Sequence, residues 1–131
     1  MTRIAVRFVA LTVVAVLFGC TRSLPLAVPD GAPVHLETDL PKSSDGVVDS
    51  KEVLLQPGAP GYKRLQEWVA YNQGGWSQSM ATNPGGGVRV HAGNLHLQFV
   101  DGVVFTWTGE GQFQKDIKEE DYAFLKKADG I

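Results

Sequence analysis

The sequence predicts an α+β domain: an antiparallel β-meander of four to five strands, with one helix before it and one after it. Three observations carry that expectation. Tyr62, Leu65, Trp68 and Val69 recur at helical spacing. From Ser77 onward the period changes to two, with Gly93-Asn94 and Asp101-Gly102 set between alternating runs as two-residue hairpin signals. A last apolar stripe, Ile117, Phe124, Leu125 and Ala128, returns to helical spacing. Helices that flank a run of strands describe an α+β packing.

Taken in order, Lys51-Glu52-Val53-Leu54-Leu55-Gln56 is a short apolar run closed by Pro57-Gly58, which suits a strand. Pro60 then opens a helix where its missing N–H costs nothing. That helix is expected to stop near Asn72, because Gly74-Gly75 offers the left-handed conformation of a C-terminal cap, and Trp76 is placed to fold back on the last turn. Asn83-Pro84-Gly85-Gly86-Gly87 reads as a turn or loop. The alternating strands are Val88–His91, Leu95–Phe99 and Val103–Thr108; Gly109-Glu110-Gly111 turns the chain into Gln112–Lys115. The closing helix is expected to start at Asp116, with Glu119 as its capping-box partner.

Two-residue turns fix register. With Gly93-Asn94 central, Ala92 faces Leu95, His91 faces His96, Val90 faces Leu97 and Arg89 faces Gln98. With Asp101-Gly102 central, Val100 faces Val103, Phe99 faces Val104, Gln98 faces Phe105 and His96 faces Trp107. Both turns give one partition. Val88, Val90, Leu95, Leu97, Phe99 and Val104 share the core face, and Arg89, His91, His96, Gln98, Phe105 and Trp107 share the other. Those six are the candidate partner-binding residues, since Trp and Arg are favoured interface anchors. The same face has a plainer reading, in which the terminal helix or the N-terminal arm covers Phe105 and Trp107. As metal ligands, His91 and His96 lack a third partner nearby in sequence, and no metal site is expected.

Catalytic residues are not expected. Ser77 and Ser79 lie outside any nucleophile-elbow pattern. Glu119-Glu120-Asp121 suits a helix start, where the dipole favours negative charge. Gly85-Gly86-Gly87 lacks the Lys and Ser/Thr that follow in a phosphate loop, so no cofactor or small-molecule substrate is evident.

The first twenty residues say where the chain lives. Arg3 and Arg7 give a positive start, Phe8 to Phe18 run eleven residues without charge, and Gly19 stands before Cys20, the one cysteine. That order is a secretory signal. The run is too short to span a hydrocarbon core, which takes about 18–20 apolar residues. Ending on cysteine, it resembles the lipobox of bacterial lipoproteins, a family defined by that motif and not by a fold. The resemblance implies cleavage before Cys20 and thioether attachment of diacylglycerol to it, with palmitate among the acyl chains. It also implies sorting: Thr21 stands where aspartate would retain a lipoprotein in the inner membrane. The expected location is therefore the periplasmic face of a Gram-negative outer membrane. An acylated thiol cannot pair, so no disulfide is expected despite an oxidising compartment.

Residues 1–19 are thus expected to be the signal peptide, 20–50 the lipid anchor and a flexible tether, and 51–131 the small α+β domain. Six of seven prolines precede Gly61, and Thr21 to Ser50 sustain no periodic pattern. The rival reading docks Val34, Leu36, Val47 and Val48 on the domain. Cleavage leaves 112 residues with ten basic and fourteen acidic side chains, a net charge of −4. Such a chain lacks the clustered Lys and Arg that nucleic-acid binding needs.

From Lys51 to Ile117 the chain also resembles small Gram-negative lipoproteins of unknown function, through Pro57-Gly58, the helix with Trp68, Asn72-Gln73-Gly74-Gly75-Trp76 and the strand pairs that follow. That resemblance implies no activity. The expected function is a non-catalytic lipoprotein that binds a protein partner, an immunity or inhibitor protein being one concrete form. The alternative is a structural envelope-maintenance lipoprotein. A third class, an enzyme acting on envelope material, would draw on His91, His96 and Glu119.

Overall fold

The structure, a computed structural model, describes residues 21–39, 50–80 and 86–127. Among them lie seven strands and two helices: β1 (Val34–Asp39), β2 (Ser50–Leu55), α1 (Pro60–Tyr71), β3 (Ser77–Gln78), β4 (Val88–Ala92), β5 (Leu95–Val100), β6 (Val103–Thr108), β7 (Gly111–Asp116) and α2 (Glu119–Lys126). The strands form one sheet in the order β2-β1-β4-β5-β6-β7-β3, and every neighbouring pair is antiparallel.

The α+β class holds, but four to five strands undercounts the sheet. Two strands escaped the pattern for different reasons. β3 is two residues long, too short to show a period. β1 does alternate, with Val34 and Leu36 buried and His35 exposed between them, but it sits among prolines in a stretch expected to be a tether. It inserts between β2 and β4, pairing with both.

The tether expectation and the domain boundary at Lys51 are therefore corrected: the chain is packed onto the sheet from Arg22 to Asp39. Leu24 and Val28 are buried in the same core as Val34 and Leu36. Prolines remove backbone donors, so the arm's surplus carbonyls need donors from elsewhere. Side chains of α1 and its C-terminal loop supply them. The Tyr62 hydroxyl donates to Pro29 O (3.1 Å) and Ala32 O (2.9 Å), and the Gln73 amide donates to Leu26 O (2.6 Å). The signal segment, the Val47-Val48 pair and Ala128 lie outside the described residues.

Both helices cover one sheet face. Trp68 of α1 meets Phe99 edge-on at 5.0 Å between ring centroids, and Tyr122 of α2 meets the same ring at 5.1 Å. Val88, Val90, Leu95, Leu97, Phe99 and Val104 all belong to this core, as the two hairpins require. Each such side chain, fully buried, contributes about 1.5–3 kcal/mol. The registers of β4–β5 and β5–β6 follow from two different two-residue turns. Gly93 has φ +56° at the first central position of one, whereas Asp101 (φ +49°) and Gly102 (φ +78°) are both left-handed in the other.

α1 ends at Tyr71. Gly75 takes φ +81°, and the Trp76 indole N–H donates back to Asn72 O at 2.7 Å. α2 starts three residues later than Asp116, because Asp116 is still paired with Val103 in the sheet. Its first turn is closed instead by Asp121, whose carboxylate accepts the Lys118 N–H at 3.3 Å.

Candidate functional site

With both helices on one face, the other face shows side chains in rows across the strands. Leu54, His35, His91 and His96 stand opposite one another on β2, β1, β4 and β5. Trp107 and Gln112 form the matching pair on β6 and β7, and the Trp107 indole N–H donates to Gln112 Oε1 at 3.1 Å. The second row runs Glu52, Glu37, Arg89, Gln98, Phe105, Gln114.

All three histidines of the chain thus fall in one line on three adjacent strands. His91 and His96 stack at 4.4 Å between centroids with 18° between planes, and His35 lies 6.2 Å from His91. All three are exposed. Burial, and then the neighbouring His91, push His96 below its ordinary pKa. His35 falls outside the expected site residues because it lies in the stretch that the sequence reads as a tether; the Val34–Leu36 alternation around it is the available signal. Among the described residues no group of three His, Cys, Asp or Glu side chains is arranged to hold a metal ion.

Arg89 donates to Glu37 at 2.7 Å and to Asp39 at 2.9 Å. The hydrogen bond from Arg89 is the main reason the Glu37 carboxyl is held below its ordinary pKa, and the same bond raises that of Arg89. Arg89 and Trp107 are half-buried.

Two of the six expected partner-binding residues do not present a surface. Gln98 is 1 % exposed and Phe105 is 6 % exposed. The described ends of the β3–β4 connection lie on either side of Phe105. Gly86 O accepts the Gln98 amide at 2.9 Å, while Ser79 donates to Gln114 at 2.8 Å and accepts from Gln112 at 3.2 Å. Gln98 Oε1 has no donor among the described residues. The available patch is therefore narrower than the sequence suggested and shifted toward β1: His35, His91, His96, Arg89 and Trp107.

Depressions flank the histidine line. One, of about 980 Å³, lies between the N-terminal arm and the ends of β5 and β6, with His96 and Trp107 on its wall. The other, of about 530 Å³, is bounded by His35, His91, Arg89, Glu37, Glu52 and Leu54. Chemically the face offers imidazoles that donate or accept, one indole and a guanidinium already engaged by carboxylates. No helix among the described residues is long and apolar enough to cross a membrane. No protein-family model, no curated protein and no solved structure matches the chain.

Proposed function

We propose that this chain is a lipid-anchored periplasmic protein of the outer membrane that binds a protein partner and carries out no catalysis. An immunity or inhibitor protein is one concrete form of that role. The observation that carries the binding half is the sheet face free of both helices, on which His35, His91, His96, Arg89 and Trp107 stand exposed or half-exposed. The Trp and Arg types are favoured interface anchors, and depressions to both sides of the row give a partner relief to fill. The anchoring half rests on the Leu17-Phe18-Gly19-Cys20 motif behind its charged and apolar segments.

The alternative, an envelope-maintenance lipoprotein that bridges the membrane to a distant assembly, needs a long free tether. Residues 22–39 are folded into the domain, which weighs against it.

A photo-crosslinking residue at position 91, introduced in the native envelope, tests the binding surface. A discrete protein adduct is expected from position 91, absent from position 63 on the exposed side of α1, and lost on adding Trp107→Ala. No adduct from position 91, or the same adduct from position 63, contradicts the reading.

A further inference from the structure

Arg22 is fixed to the domain by its backbone. Its N–H donates to Trp76 O at 2.8 Å, and its carbonyl accepts the Trp76 N–H at 3.0 Å. Its guanidinium lies 4.3 Å from the centre of the Phe113 ring and pairs with Glu110. Thr21, one residue earlier, stands beside Ser77, Gln114 and Lys115 at the β3–β7 end of the sheet. Cys20 is therefore two residues from a hydrogen-bonded attachment point. A chain spans at most about 3.6 Å per residue, so a link of two residues is short whatever its conformation.

Resting on the reading of Cys20 as the lipidated residue, we infer that the domain sits directly on the bilayer, with the β3–β7 edge of its sheet against the lipid headgroups. A free tether of about thirty residues would span roughly 30 Å and let the domain tumble. A two-residue link holds it close and orients it. Several acyl chains on one residue make the attachment durable. The link also decides what faces away. β2 closes the opposite edge of the sheet, six strand spacings from β3, or about 29 Å at roughly 4.8 Å each. His35, Arg89 and His91, near that edge, then stand clear of the headgroups and project alongside the bilayer, where a partner in the periplasm can reach them. β3, a two-residue edge strand, is shielded from pairing with another chain by the membrane beside it.

Lipidated full-length protein in vesicles of phosphatidylethanolamine and phosphatidylglycerol, doped with a headgroup nitroxide lipid, tests this orientation. Cys20 sulfur is consumed in the thioether, so a fluorophore goes only to an introduced cysteine: Gln78→Cys on β3 or Glu52→Cys on β2, both exposed positions. Circular dichroism melts first match each labelled variant to the parent. Quenching is expected to be several-fold stronger at position 78 than at position 52. A flexible Gly/Ser insert of about ten residues between Thr21 and Arg22 should abolish the difference. Lipid mass on Cys20 with equal quenching at the two positions, insert or no insert, overturns the orientation and leaves the anchoring intact. Absence of lipid mass on Cys20 overturns both.

Discussion

His91 and His96 stack across the β4–β5 hairpin, their ring centroids 4.4 Å apart and their planes 18° from parallel. The groups that face this pair are His35 on β1, at 6.2 Å from His91, and Trp107 beside His96; Arg89 and Glu37 form the adjacent row. The folded state holds His96 below its ordinary value of 6.5, by burial first and by His91 second. The native state therefore binds fewer protons here than the unfolded chain does. Stability from this group is complete above about pH 6.5 and declines as pH falls through the lowered folded value. Urea midpoints at pH 7.5 and 5.5 should show the loss, and His96→Gln should flatten that part of the profile. An unchanged slope in the variant contradicts the assignment.

A second acid-sensitive contact titrates lower. Arg89 bonds Glu37 and Asp39 across β1 and β4, and Glu37 is held below its ordinary 4.5 chiefly by that hydrogen bond. Its contribution is complete above that value and lost as pH falls through the lowered one, beneath the histidine window. Both partners are partly solvated, so Arg89→Ala should cost only about 1 kcal/mol. A double-mutant cycle with Glu37→Gln should recover most of it as coupling; additive effects would show the pair to be decorative.

Gly87 has no substitute. At φ +73° a Cβ there would overlap the Phe99 carbonyl oxygen, which belongs to the neighbouring strand and cannot swing aside. Gly87→Ala should destabilise by more than about 2 kcal/mol. Gly31, also at φ +73° but with open space around it, isolates the backbone term. Gly31→Ala should cost about 1 kcal/mol. Equal losses in denaturant titrations would contradict the steric account.

The N-terminal arm is a structural part of the domain. A chain beginning at Lys51 lacks β1, leaving β2 without a partner and β4 paired on one side, and it loses Leu24, Val28, Val34 and Leu36 from the core. It should show no cooperative melt by circular dichroism, whereas a chain beginning at Thr21 should melt cooperatively. Matching melts for the two would restore the boundary at Lys51.

These contrasts show what the sequence made legible. The β4–β5–β6 registers were readable because two-residue turns leave one pairing, and the His91–His96 and Gln98–Phe105 pairs followed. α1 was readable from its stripe and from Pro60. The arm was not, since its order comes from Tyr62 and Gln73 donating to its carbonyls, contacts that no local pattern announces. His35 was lost with it, because pairing β1 with β4 joins residues fifty or more positions apart. The burial of Phe105 was equally hidden. Alternation assigns a residue to a face but does not say what packs there, and the bonds flanking Phe105 come from Ser79 and Gly86 on a distant connection.

The proposed anchoring at Cys20 underlies both the proposed location and the proposed orientation of the domain, and one labelling measurement tests it. Cells fed a radiolabelled fatty acid should transfer label to the wild-type protein and none to Cys20→Ala, whose domain should melt as the wild type does because no disulfide is involved. Label that persists in Cys20→Ala, or is missing from the wild type, would contradict the account.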